Sequence, residues 1–378
     1  MFATAQQILS PAKAFRLIAQ NAGEIDYEGA FPVMEFEWLR RSGLMSISLP
    51  DKPLASSKKR TAQLLQLLKA VGKASLPVGR IYEGHINALL LIELYASQPQ
   101  QKRWFNEANE QHLFGVWNTQ AQDGVKLHDL GNGRYRLEGC KTFCSGAGHV
   151  SRPVITADWV SPQSKGWQMC VLPMEKLKPA AIDRDFWKPL GMRASASFKV
   201  DFTGLEITDN ELLGPPDAYY QQPYFSGGAI RFAAVQLGGA EAVLKAAHHM
   251  LKEINRTDDP FQQARLAEMA YLIESGNLWL KQAGKKNDHW VQQPENTEKL
   301  LAYANMTRTV IEDICLRCMQ LAERSVGSRG LIRPQTLERV HRDLTTYLRQ
   351  PAPDATLTAI GKYVLKQDTT HKLWYAAK

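Results

Sequence analysis

The residues of this chain best suited to chemistry fall in one run, Gly139-Cys140-Lys141-Thr142-Phe143-Cys144-Ser145-Gly146-Ala147. An aromatic ring, a hydroxyl two residues later and a Gly-Ala turn follow a β-prone stretch. That combination can lay a flat apolar surface against a planar cofactor and offer a polar contact at its edge. Other titratable groups read more simply. His85 lies in an apolar helical run, where a packed, hydrogen-bonded ring is the simpler role, and His248, His249 and His341 suit packing or surface positions. The cysteines are Cys140, Cys144, Cys170, Cys315 and Cys318. An odd number without framework spacing points to reduced thiols and a cytoplasmic protein. Cys315 and Cys318 form one CxxC inside a helical pattern. No second ligand pair has metal-site spacing, so the pair reads as helix packing and not as a metal site.

The elements that must position that run form three blocks. The first, residues 1–112, is helical: apolar residues recur at near-helical spacing over 11–20, 31–42, 60–74, 82–95 and 99–109. Leu76-Pro77-Val78-Gly79 reads as a stop between two of these helices. The second block, 113–214, holds short β-prone runs at 114–119, 125–128, 134–137, 141–144, 153–157, 167–172 and 198–202. Gly131-Asn132-Gly133 is a hairpin turn, because Gly and Asn tolerate positive φ. Short strands separated by turns predict an antiparallel barrel or sandwich. The third block, 215–378, returns to helix over 229–254, 261–282, 295–326, 335–349 and 356–367, with 287–294 as a polar connection. Small residues at Ala233, Ala234, Gly238, Gly239 and Ala240 let that block's first long helix approach its neighbours closely.

Composition narrows the function classes. The 378 residues are 44% hydrophobic and 22% charged, ordinary for a globular protein of two or three packed units. The formal net charge is +8, but Lys and Arg are scattered, so a solvated basic surface is a better account than a nucleic-acid patch. A mild positive field also suits an anionic substrate or a phosphate-bearing cofactor. The first seven residues lack a charged region before an apolar core, which argues against a signal peptide. No stretch of about eighteen apolar residues suggests a membrane span.

Taken together, several stretches resemble the acyl-CoA dehydrogenase family. Thr119-Gln120 stands where the family has Thr-Glu after a strand. Lys141 to Ala147 is similar to its Gly-x-Lys-x-Trp-Ile-Thr-Asn-Gly stretch. Leu190 to Ser197, then Val200-Asp201-Phe202 and Leu212-Leu213-Gly214, resemble the end of its β-domain. Arg231 to Gly239 and Glu338-Arg339-Val340-His341-Arg342-Asp343 resemble its C-terminal helices. The ordered set spans nearly the whole chain. The resemblance implies an α+β multidomain fold: an N-terminal helical domain, a central antiparallel β-barrel or sandwich and a C-terminal four-helix bundle. It also implies FAD, held between the β-domain and the bundle, and a homodimer or homotetramer. By position, Phe143 replaces a Trp that lies against the flavin, and Ser145 replaces a Thr at the flavin edge. Thr119 would contact the pyrimidine side, with Trp117 nearby. Arg256 would reach the FAD phosphates. Arg324, Gly327, Ser328 and Gly330 stand in the family's glycine-rich phosphate stretch, where glycines allow close backbone approach.

The match fails at the catalytic base. Dehydrogenation needs a carboxylate to take the α-proton while hydride leaves for the flavin. One family position for that Glu falls here at Gln350-Pro351, the other at Ile230. The nearest spare carboxylates are Asp354, which also suits an N-cap of the last helix, and Glu241, which suits solvent or a neighbouring helix. The main expectation is therefore an FAD-dependent oxidoreductase on an acyl thioester such as an acyl-CoA, passing electrons to an acceptor. Two alternatives stand beside it. One is a monooxygenase on the same fold supplied with reduced flavin by a flavin reductase, since such enzymes lack that Glu. The other is a degenerate flavin-binding or scaffold protein.

Overall fold

Helices and strands follow one another in three stretches along the chain. The computed structural model describes residues 8–160, 165–178, 181–349 and 352–373. Residues 1–7 and the Gln350-Pro351 position lie outside these. The first helices are α1 (Pro11–Asn21), α2 (Val33–Arg41), α3 (Arg60–Ala74), α4 (Leu76–Tyr95) and α5 (Gln98–Asn109). The strands are β1 (Phe114–Trp117), β2 (Lys126–Gly131), β3 (Arg134–Glu138), β4 (Cys140–Cys144), β5 (Arg152–Val160), β6 (Trp167–Val171), β7 (Ile182–Asp183), β8 (Phe198–Asp201), β9 (Glu206–Thr208) and β10 (Leu212–Leu213). The later helices are α6 (Tyr224–Gly227), α7 (Ala229–Glu253), α8 (Pro260–Trp290), α9 (Thr297–Val326), α10 (Thr336–Tyr347) and α11 (Pro353–Lys366).

Contacts divide the described residues into two units that interleave in sequence. One takes the residues up to Ser56, Arg80–Pro189 and Arg193–Gln221. It holds both sheets: a larger one ordered β10-β6-β5-β2-β3-β9, with β1 also on β5, and a smaller one ordered β4-β8-β7. Most pairs are antiparallel, but β1 and β2 both run parallel to β5. The long strand β5 accounts for this. Its start aligns with β1 (Phe114 opposite Arg152) and its end with β2 (Lys126 opposite Asp158). Residues 118–125 carry the chain forward along one edge, and their backbone pairs with β4 through Thr142 N to Thr119 O and Cys140 N to Asp123 O. The Gly131-Asn132-Gly133 turn has positive φ at all three residues. Trp104, Phe114, Met169, Val171 and Leu213 bury together as the apolar core beside the larger sheet.

The other unit takes Ser57–Gly79, Leu190–Met192 and the residues from Gln222 onward. Here α3 packs with α7 and α8, which both also pack with α9, although α3 comes from the first third of the chain. Its backbone approaches α7 so closely that a Cβ on Gly72 would lie 2.3 Å from Val235 O, and one on Gly238 would lie 2.2 Å from Lys69 O. Two boundaries differ from the sequence pattern. Helix α4 begins at Leu76, with Pro77 in its first turn, where a missing N–H costs nothing. Helix α8 runs on to Trp290, because its polar end has work on α3: Asp288 accepts from the Thr61 and Ala62 N–H groups, and Asn287 donates to Thr61 Oγ1. Among the described residues no helix is long and apolar enough to cross a membrane.

Candidate functional site

Strand β4 buries every side chain except one. Its register against β8 slips between Lys141 and Cys144, a bulge that leaves Phe143 without an opposing residue. Phe143 sits at φ +54°, a left-handed conformation unusual for a bulky side chain. The residue is 51% exposed. Phe186 and Trp187 meet it edge-on, at centroid distances of 5.2 and 6.0 Å and interplanar angles of 85° and 84°. The bulge thus turns an aromatic ring out of the sheet while two neighbours fix its plane.

The turn after β4 is tied to the segment that precedes β8. Gly146 N donates to Ser195 O at 2.8 Å, and Ala147 N donates to Ala196 O at 3.1 Å. The half-buried Ser145 places its Oγ 2.9 Å from Ser197 Oγ, which lies 2.8 Å from the Oγ of buried Ser195. These three hydroxyls form a chain from the interior to the turn. Ser195 and Ser197 lay inside the run that carries the family resemblance. The sequence gives no sign that they would meet Ser145, because a contact across 52 positions leaves no periodic trace.

Trp117 and Thr119 reach the same place by different means. Thr119 is exposed and receives the Thr142 N–H through its carbonyl. Trp117 is only 1% exposed, so it packs in the core, and its Nε1 donates to Ser145 O at 3.0 Å. It braces the turn and is not a wall for a ligand. Lys141, next to Thr142 on β4, is fully buried. Its Nζ donates to Gln120 Oε1 at 2.6 Å, Thr156 Oγ1 at 3.1 Å and Asn118 O at 3.2 Å. Burial lowers its pKa to about 8, with the Cys144 and Cys170 thiols pulling weakly the other way. His85 is a core residue: Nδ1 accepts from Phe114 N and Nε2 faces Met45 O at 2.7 Å.

The second group of sequence-derived residues lies in the helical unit. Arg256 is exposed in the turn after α7, where it pairs with Asp259 at 2.5 Å, and Asp259 caps α8. Exposed Arg324 ends α9, and its carbonyl accepts from Arg265 Nη1 of α8 at 3.3 Å. Gly327 follows at φ +61° with open space around it, and Ser328 is exposed. Gly330 is buried; a Cβ there would fall 2.1 Å from Val326 Cγ2 and 3.2 Å from Met250 Sδ. Arg265, which sequence reasoning missed, links the start of α8 to the end of α9, so Arg256, Arg324 and the 327–330 turn gather at one end of the helices.

The candidate bases lie in the helical unit too. Glu241 lies 2.7 Å from Lys69 and 2.9 Å from Lys73. Burial pushes its pKa up, but the two lysines more than offset this and hold it below the ordinary carboxylate range. It lines a cavity of about 510 Å³ with Lys73, Lys245 and His248, as an anion paired to two lysines. Asp354 is exposed in the first turn of α11 and is not its N-cap; Ala352 holds that place at φ +55°. Ile230 is buried at 2% exposure. Arg342 and Asp343 instead clamp the 190–192 segment: Asp343 accepts from Met192 N at 2.6 Å and Arg342 donates to Leu190 O at 3.2 Å.

The succession of helices, curled sheets and a C-terminal helical unit is the acyl-CoA dehydrogenase-like fold. Residues 230–349 match the family model described as acyl-CoA dehydrogenase, C-terminal domain, so the chain carries that domain on that fold. A solved structure of TdsC from Paenibacillus sp. A11-2 with FMN and indole superposes with a TM-score of 0.83 at 20% identity, covering 97% of this chain and 98% of that one. Dibenzothiophene monooxygenase of Rhodococcus erythropolis is 23% identical, over 91% of this chain and 89% of its own length. A probable FMNH2-dependent monooxygenase, SfnC, of Pseudomonas putida is 22% identical over 95% and 94%.

Proposed function

We propose that this chain is a reduced-flavin-dependent monooxygenase. In this reading it takes FMNH2 from a separate flavin reductase and, with O2, oxygenates a small, largely apolar molecule, releasing FMN and water. The observation that carries it is similarity along nearly the whole chain to proteins named as monooxygenases, one of them FMNH2-dependent. FMN takes the place of FAD in this proposal, and a reductase takes the place of a downstream electron acceptor. Dehydrogenation of an acyl-CoA is less well supported. A proton must be removed there, Ile230 has no group to remove it, and Glu241 is already paired.

The residues present suit a flavin. The exposed Phe143 ring offers a flat apolar face, and Ser145 Oγ can donate or accept at an edge. When bound, reduced flavin supplies the electrons that activate O2. Phe143 gives the ring a wall, Phe186 and Trp187 hold that wall, and the Ser195–Ser197 pair orients Ser145. Within the helical unit by itself, Arg256, Arg265 and Arg324, with the 327–330 turn, gather cationic side chains suited to an anion. A homodimer or homotetramer belongs to the same proposal and is read by light scattering.

The test is oxygen incorporation. Purified protein, FMN, NADH and an unrelated flavin reductase are incubated under ¹⁸O2 with a substrate panel beginning with dibenzothiophene and indole. Reductase-dependent ¹⁸O in the product supports the reading. Anaerobic bleaching of a bound FAD by an acyl-CoA, with no oxygen incorporated into any product, overturns it in favour of dehydrogenation.

A further inference from the structure

Lys141 is a fully buried ionisable group of this unit that the proposed chemistry does not yet use. It is fully buried, and its three hydrogen-bond acceptors, Gln120 Oε1, Thr156 Oγ1 and Asn118 O, are all neutral. The Trp167 ring lies 5.6 Å from its Nζ. The ionisable groups facing it are the thiols of Cys144 on β4 and Cys170 on β6, and burial drives both well above their ordinary range, so they carry no charge. Among the described residues no ion pair to a carboxylate balances the ammonium. Burying a cation without a counter-charge is expensive, and an apolar side chain of similar volume would cost the fold less. The position of that charge gives it a use. It holds Asn118 and Gln120, the residues on either side of Thr119, and it lies two residues before Phe143 on the same strand.

We propose that Lys141 keeps an unbalanced positive charge behind the flavin-binding face, so that the site favours reduced, anionic flavin over the oxidised, neutral ring. This rests on the flavin reading above and gives the site a preference that reading needs, since the reduced form must be captured from a reductase. Lys141 acts on the site through its field and touches no flavin atom itself. A charge in a low-dielectric interior acts over several ångströms with little screening. Burial lowers its pKa only to about 8, so the ammonium persists at neutral pH and is lost in mild alkali.

The experiment measures the affinities of oxidised FMN and of anaerobically reduced FMN for wild-type protein and for Lys141→Met. At about pH 7 the wild type should prefer reduced FMN by roughly tenfold or more, and by about pH 10 that preference should fade as the lysine loses its proton. Lys141→Met should bind oxidised FMN within about threefold of wild type, and should lose the preference at every pH. Equal weakening of both forms would reduce Lys141 to a strut and overturn the proposal, as would a wild-type preference that does not change with pH. Should Lys141→Met fail to fold, the wild-type pH series still decides. Binding of neither form by wild type would remove the proposed function as well. Oxygenation with an unaltered affinity ratio would remove this inference alone.

Discussion

Phe143 allows the fold and the site to be separated in one experiment. The residue is about half exposed and its backbone sits at φ +54°. Truncation to Ala removes the ring but leaves an L-residue in the left-handed region. Truncation to Gly removes the same ring and releases the backbone. Half of a phenyl ring's burial is on the order of 100 Å², or roughly 2.5 kcal/mol at about 25 cal/mol per Å². The edge contacts to Phe186 and Trp187 add about 1 kcal/mol. Phe143→Ala should therefore cost about 3.5 kcal/mol. Phe143→Gly should cost about 1 kcal/mol less, because a left-handed Cβ carries a penalty of about 1–2 kcal/mol, partly offset by the entropy of glycine. Urea unfolding checks the order, and FMN titration by fluorescence quenching checks the site. Both variants should lose flavin affinity by a similar factor, since both lose the wall. A Gly variant less stable than the Ala variant would refute the strained-bulge account. Undiminished FMN affinity in both would refute the placement of the flavin against this ring.

Three further outcomes follow from packing and titration. Gly238→Ala places a Cβ against Lys69 O of α3 and should destabilise the helical unit by at least about 1–3 kcal/mol, read as a fall of several degrees in Tm. Burial holds the pKa of His85 at about 4, below its ordinary value of 6.5. The unfolded chain then takes up a proton that the folded chain does not, so stability is lost as pH falls from about 6.5 to about 4, on the order of 3 kcal/mol. His85→Gln should flatten that slope in urea titrations run across the range. Ser197→Ala strands the buried Ser195 hydroxyl and should cost about 1–2 kcal/mol, whereas Ser195→Ala with Ser197→Ala should cost no more than the single change. A fully additive double variant would break the hydroxyl-chain account.

Much of the fold was legible because local patterns carry it. The leucine spacing of residues 60–74 gives α3 directly, and glycine at 131 and 133 marks the β2–β3 turn. The ring and hydroxyl of the 139–147 run could be singled out because their types and spacing are local too. Other features needed the chain to close on itself. Asp288 extends α8 because it caps a helix more than two hundred residues away, and α3 leaves its sequence neighbours because Gly72 and Gly238 admit it beside α7. The exposure of Phe143, the burial of Trp117, the union of Ser145 with Ser195 and Ser197, and the isolation of the Lys141 charge were likewise decided only in three dimensions. Sequence spacing records which side chains share a helix face or a strand face. Burial, strain and charge compensation depend on what arrives from elsewhere in the chain, and that is set by tertiary packing alone.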